Sequence, residues 1–420
     1  MSSVLYLKVS RYWSRLPLLL RGFLVLLMIA ALTNWGILWR LRHRSQIRHK
    51  FTQHAQVTYG PSSVPPVVER RLDQLVPHPE TRLFAPFETA TLREPSDTSL
   101  EDIAEFHSMK QLSVTNGRLT EQGLAHIRHL NQLESLYLEN VSFEAEALSG
   151  LQTCDSLQQL KLVGPLTPEA LRPLSRCRAL TELQLDAGFY EHRKTESLTK
   201  RLTGHHLDAV ARIPNLKRLT IRSNDLSDTD LRPLANAGRL EELFVDTVML
   251  KGDALNSLGK LPRLKQLILE VSDADPAALQ RLNGFPALQV LALRGAAVQS
   301  AHLTHLRNLN RLETLCLRGA TLGKSLEPIT RLTRLKHLNL FLAELPPDGL
   351  QQLERLEHLQ ELCLGVNDAT ARLTSDELRQ KFPVMLNVES KLTVWNQRTD
   401  IPKWEGASTS HASGTGGGFF

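Results

Sequence analysis

The octet LETLCLRG, Leu312 to Gly319, has a counterpart about every 24 residues, and that interval constrains the fold more than any other property of the chain. Octets of the same cadence begin at Met109, Leu133, Leu157, Leu180, Leu216, Leu240, Leu264, Leu288, Leu312, Leu335 and Leu359. Their spacings are 24, 24, 23, 36, 24, 24, 24, 24, 23 and 24. Leucine fills the fourth position in all eleven: Leu112, Leu136, Leu160, Leu183, Leu219, Leu243, Leu267, Leu291, Leu315, Leu338 and Leu362. Six and nine residues before each octet stand two more aliphatics, such as Leu231 and Leu234 before Leu240. A separation of three suits one face of a helix, and the separation of two inside the octet suits one face of a strand.

Each unit is therefore a short strand, a turn and a short helix, too small to bury its own apolar face, so the units must stack. This predicts an α/β solenoid, a right-handed curved horseshoe with a parallel sheet on its concave face and short helices on its convex face. The single spacing of 36 is 24 plus a twelve-residue insertion, within GFYEHRKTESLTKR at 188–201. The helical half alone precedes Met109, where Ser99-x-x-Asp102 has the form of a capping box. The repeat domain is expected over 97–390, with LTSDELRQKFPVMLNV closing it, and the Gly/Ser-rich end of 391–420 reads as a flexible tail.

Upstream of the repeats lies a different kind of segment. GFLVLLMIAALTNWGILW, residues 22–39, carries no charge over eighteen positions. As a helix it spans roughly 27 Å, near the thickness of a bilayer's hydrocarbon core. A transmembrane helix is expected over 16–41 after a short tail at 1–15. Trp35 and Trp39 sit where indole rings favour the interface, and Arg40, Arg42 and Arg44 follow as the anchor's basic flank. A cleaved signal peptide is the rival reading, with Lys8, Arg11 and Arg15 as its basic region. The length of the apolar run, the lack of a small-residue cleavage site and the basic cluster directly after it favour an anchor. Three Lys/Arg precede the span and five follow it (Arg40, Arg42, Arg44, Arg48, Lys50), which favours a cytoplasmic repeat domain. Pro61, Pro65, Pro66, Pro77, Pro79, Pro86 and Pro95 oppose a continuous helix, so 42–96 is expected to be a basic neck and a semi-extended spacer.

With the fourth and sixth octet positions inward, the third, fifth and seventh face the concave side. Phe244, Ile268, Ala292 and Cys316 then form an apolar lane at position five. Asp246 and Glu270 at position seven border its first half, and Arg294 and Arg318 border its second. An exposed apolar lane with segregated charge could orient a protein partner. Isolated aliphatics on a solvated face are the plainer alternative. Cys316 and Cys363 share the outward column two repeats apart, near 10 Å between Cα atoms and too far for a disulfide. Cys154 and Cys177 occupy equivalent positions one repeat apart, as core-edge residues or an oxidised pair.

The octets and phrases such as LTEQGLAHIRHLNQL and LSDTDLRPLANAGRL resemble leucine-rich repeats. That resemblance implies a curved solenoid used for protein binding. The helix half is similar to that of F-box and related bacterial repeat proteins, although no F-box precedes Leu100. The N-terminal piece, through the basic run to Val57-Thr58-Tyr59, is similar to the anchor and neck of membrane-anchored leucine-rich repeat proteins of planctomycete-type bacteria. The family's asparagine after the strand is missing from most octets here, which implies a different turn on that edge.

Charge is nearly balanced outside the basic neck and aromatics make up only 5%, which argues against a nucleic-acid footprint. His126 with His129, and His302 with His305, lack a further ligand for zinc. No P-loop, G-x-S-x-G or H-E-x-x-H occurs. The sequence therefore points to no catalytic residue, cofactor, metal or small-molecule substrate. The expected function is non-enzymatic: a single-pass, membrane-tethered repeat protein that binds an unidentified protein partner through its concave face. A structural envelope scaffold acting by self-association is the alternative.

Overall fold

The structure is a computed structural model. It describes residues 18–62, 85–187 and 202–364, less 142–146, 271–278 and short stretches around 103, 118, 250, 298, 320 and 342; of residues 18–34 it describes the backbone alone. The insertion at 188–201 and the expected closing helix and strand after Leu364 lie outside the described residues. Two compact units divide the chain, Met1–Leu264 and Lys265–Phe420.

In the first unit a helix, Leu18–His54, leads into β1 (Ala55–Tyr59) and β2 (Phe87–Arg93). The repeat strands follow as β3 (Gln111–Thr115), β4 (Ser135–Glu139), β5 (Gln159–Val163), β6 (Glu182–Asp186), β7 (Arg218–Arg222) and β8 (Glu242–Asp246). β1 pairs antiparallel with β2, and every later pair in this unit is parallel. The second unit carries β9 (Gln266–Glu270), β10 (Val290–Arg294), β11 (Thr314–Arg318), β12 (His337–Leu340) and β13 (Glu361–Leu364), all parallel.

Each repeat strand covers positions three to seven of its octet, or three to six in β12 and β13, and the pairing sets fourth leucine against fourth leucine. Leu112, Leu136, Leu160, Leu183, Leu219 and Leu243 are consecutive register partners in the first unit. Leu267, Leu291, Leu315, Leu338 and Leu362 do the same in the second. All are buried except Leu362, which is half-buried on β13. The insertion leaves the ladder intact, since Glu182 on β6 pairs with Arg218 on β7 across it.

The helical half is short: single α turns such as Glu121–Ala125 and Pro168–Leu171, and 3-10 segments such as Ala147–Thr153. Carboxylates and hydroxyls tie these turns to the next repeat. Asp97 accepts from Thr120 N–H (2.9 Å) and Oγ1 (2.6 Å), where Thr120 caps Glu121–Ala125. A Cβ on Gly123 would meet Asp97 Oδ1 at 2.1 Å, so this contact requires glycine. The first turn itself is Asp97–Glu101, and Ser96 N–H donates to Ser99 Oγ, one turn earlier than the capping box expected from Ser99.

At the strand ends Asn116 and Asn140 take positive φ (56° and 51°), and Gly164 follows at 124°. Their N–H groups donate to the carbonyl at the end of the next strand, and Asn140 Nδ2 donates to Asn116 Oδ1 at 3.0 Å. Where the octets lack asparagine, Ala187 and Ser223 make the same backbone bond from position eight.

The spacer expected over 42–96 is not what the described residues show. The helix runs on through the basic neck to His54, and Ser45, Arg48 and Phe51 point into the protein from one of its faces. Phe51, Phe87 and Phe106 form an aromatic cluster with centroids 4.7–5.9 Å apart, which seals this end of the leucine core. Arg48 is buried with them, its Nη2 donating to Ala85 O at 2.6 Å and its guanidinium 4.0 Å over the Phe87 ring. The repeats are thus capped by a helix and a hairpin that begin well before residue 97. The physical reason is that the hairpin buries large rings, which a solvated spacer would leave in water.

Candidate functional site: the sheet face

Alternation places positions three, five and seven of each octet on the sheet face opposite the leucines. In the first unit, position-three side chains of neighbouring strands pair at two places. Ser135 Oγ donates to Gln159 Oε1 (2.8 Å), and Arg218 donates two hydrogen bonds to Glu182 Oε2 (3.2 and 2.7 Å).

Positions five and seven carry a cluster that the sequence alone does not assemble. Register puts Tyr137, Lys161, Gln184, Thr220 and Phe244 in one row, and Glu139, Val163, Asp186, Arg222 and Asp246 in the next. Tyr137 Oη donates to Glu139 Oε2 at 2.5 Å. Burial, and then that carboxylate, raise the phenol far above its ordinary pKa. Lys161 Nζ lies 4.7 Å over the Tyr137 ring, and Arg222 Cζ lies 5.8 Å over the Phe244 ring. Burial and then the Arg222 charge pull the Lys161 pKa below that of an ordinary lysine, against the opposing pull of Asp186 and Glu139. Asp186 is only 4% exposed. Arg222 Nε is buried without a hydrogen-bond acceptor. Two cations and two carboxylates therefore meet between two aromatic rings, partly out of water. Such a group can recognise polar and charged groups on a partner.

The expected lane is brought into register but is not an open apolar strip. In the second unit Ile268, Ala292 and Cys316 are side by side, as are Glu270, Arg294 and Arg318. Ile268 and Ala292 are each only 6% exposed, and Cys316 is partly exposed. In the first unit Phe244 is likewise 6% exposed, beneath the Arg222 guanidinium, with Asp246 partly exposed two residues on. The expected exposure is thus corrected. Strands about 4.8 Å apart bring their side chains into mutual contact, and a long charged neighbour folds its stem across an aromatic face. The side chains of Arg294 and Arg318 lie outside the described residues.

None of the four cysteines is in a disulfide. Cys154 and Cys177 are buried, and burial pushes them up to about 11 and about 12, as small apolar fillers of the core. Cys363 is raised to about 11 by burial and then by Cys316, with Asn339 between the two in register. None of these three is poised as a nucleophile at neutral pH. Among the described residues, no group of three His, Cys, Asp or Glu could hold a metal ion, and His302 lies outside them.

No protein-family model matches the chain. No curated protein matches it either. Among solved structures the chain is similar to an internalin of Listeria monocytogenes, at 16% identity and a TM-score of 0.45, over 68% of this chain and 84% of that one. It is similar to a leucine-rich repeat protein of Leptospira interrogans at 16% identity and a TM-score of 0.37, over 77% and 92% of the two chains. A plant peptide hormone receptor, solved in a complex, is similar at 16% identity and a TM-score of 0.39, over 65% of this chain and 42% of that one. What the strands themselves establish, fourth leucine paired with fourth leucine, is that each unit stacks its repeats in the manner of a leucine-rich-repeat-like α/β solenoid.

Proposed function

We propose that this chain is a membrane-tethered protein-binding module whose first unit captures a partner protein on its sheet face. The observation that carries the reading is the Tyr137–Lys161–Asp186–Arg222 cluster. On a face where Ser135 pairs with Gln159 and Glu182 with Arg218, these residues hold partly desolvated charge and an arginine nitrogen without an acceptor. Tyrosine and arginine in such settings dominate binding energy at protein interfaces. A partner supplying an acceptor to Arg222 and an anion to Lys161 would relieve both defects.

The tether is part of the same proposal. It is motivated by the apolar run at 22–39 and by the backbone helix Leu18–His54 that carries this run directly into the repeat cap. Among the described residues no helix is long and apolar enough to cross a membrane; the side chains of 18–34, most of the run, lie outside them. The basic flank favours a body on the cytoplasmic side.

Photo-crosslinking in the native cell tests the binding surface. A photoreactive residue in place of Gln184 should give a defined adduct that Arg222→Ala reduces by about ten-fold or more, the loss of a typical hot spot. The same residue in place of Arg172, exposed on the helical side, should give none. Equal adducts at both positions, or an adduct indifferent to Arg222→Ala, would remove the sheet face as the binding surface.

A further inference from the structure

The N-terminal helix shows an arrangement that composition alone does not. Among the described residues the exposed large apolar side chains are Trp35, Ile37 and Trp39, at 71%, 56% and 59%. All three fall within five residues of one helix. Directly after them, Arg40, Arg42 and Arg44 are exposed as well. Two-residue steps turn a helix by about 200°, so neither set is confined to a single face. An apolar ring and a basic ring are stacked along the helix axis.

That geometry distinguishes two ways of meeting a membrane. A helix lying flat on a bilayer segregates apolar and basic residues to opposite sides along its length. A helix passing through the headgroup layer is surrounded by it, and needs its apolar and charged residues in successive layers along the axis. The stacking here is of the second kind. The next layer is fixed to the protein: Arg48 and Phe51 are buried against Ala85, Phe87 and Phe106. From Trp39 to Arg48 is nine residues, or about 14 Å of helix. The exposed arginines thus sit on a short rigid segment between the indoles and the repeat cap.

We propose that Arg40, Arg42 and Arg44 form a headgroup belt that selects anionic lipid around the helix, with Trp35, Ile37 and Trp39 in the interface beneath it. The occupant is argued from charge complementarity and from the apolar run that continues at 22–34. The inference rests on the tether reading and adds to it a lipid class. Arg48 takes no part, because it is committed to the fold.

Quenching by brominated lipids tests this on the full chain in nanodiscs, with Trp13, Trp395 and Trp404 replaced by Phe so that Trp35 and Trp39 report. Equal mixtures of phosphatidylglycerol and phosphatidylcholine are used, with one or the other brominated. One arginine at the surface favours anionic lipid by a factor of about five, so brominated phosphatidylglycerol should quench about two-fold more strongly, or better. The combined variant Arg40→Gln, Arg42→Gln and Arg44→Gln should equalise the two. Equal quenching in the parent chain overturns the belt while leaving the tether standing. Quenching by neither lipid overturns both, and selectivity that survives in the triple variant overturns the assignment to these arginines.

Discussion

His206 makes two structural contacts with one neutral ring. Its Nδ1 accepts from the Thr203 N–H (3.1 Å) as part of a capping box on the helix Gly204–Ala211. Its Nε2–H donates to Leu166 O (3.1 Å), forty residues away in sequence. Burial pulls its pKa below 6.5; the Leu166 carbonyl and Glu169 oppose this, and His205 adds slightly to it. Above pH 6.5 the ring is neutral in both folded and unfolded chains, so it contributes no pH dependence. As the pH falls below 6.5 the unfolded chain takes up a proton that the folded one resists, and stability declines by up to about 1.4 kcal/mol per pH unit until the folded pKa is passed. His206→Gln should remove this slope in urea melts over the mildly acidic range, and identical slopes in the two proteins would show the ring to be uninvolved. A histidine in this role was hard to read beforehand, because His205 and His206 look alike in sequence and only the turn geometry assigns one to the cap. Phe244 shows the opposite difficulty. Alternation places it on the sheet face, but it cannot say that Arg222, one strand away, lies over the ring. The row Tyr137, Lys161 and Phe244 could be read from the octets. The approach of Lys161 and Arg222 across β6 could not, because it depends on side-chain length and direction and not on register.

The repeat strands were legible because the signal recurs: a leucine at position four of each octet specifies both the strand and its pairing. The cap was not, and the reason is local. The seven prolines that argue for a spacer begin at Pro61, whereas the helix ends at His54 and β1 at Tyr59. Treating 42–96 as one segment spread the prolines over residues that contain none. Gln56-Val57-Thr58-Tyr59 before Gly60-Pro61 has the alternation and the stop signal of a strand, and Ala90 to Arg93 alternates likewise. Arg48 joins the helix to this hairpin, so its removal tests whether the cap is a packed element. Arg48→Ala deletes a charged hydrogen bond to a buried carbonyl and a contact over Phe87, and should lower stability by about 2–4 kcal/mol in denaturant melts. Arg48→Lys should recover little of this, because an ammonium lacks the planar fork that meets both the carbonyl and the ring. Arg44→Ala, at an exposed site on the same helix, should change stability by less than about 0.5 kcal/mol. Equal effects at Arg44 and Arg48 would mean that the helix end is not docked.

At the scale of the whole molecule, the proposed tether makes the side of the membrane that holds the body decide which partners it can meet. Topology is set while the chain is being inserted, before the cap folds, so Arg48 counts among the flanking charges even though it is later buried against Phe87. Five basic residues then follow the apolar run and three precede it, Lys8, Arg11 and Arg15. On the proposed tether, that excess favours a cytoplasmic body. Protease added to intact cells should therefore spare the body and digest it at exposed loops once the cells are opened. Cleavage of the body in intact cells would reverse the orientation and move the search for a partner of the Lys161–Arg222 face to the outer compartment.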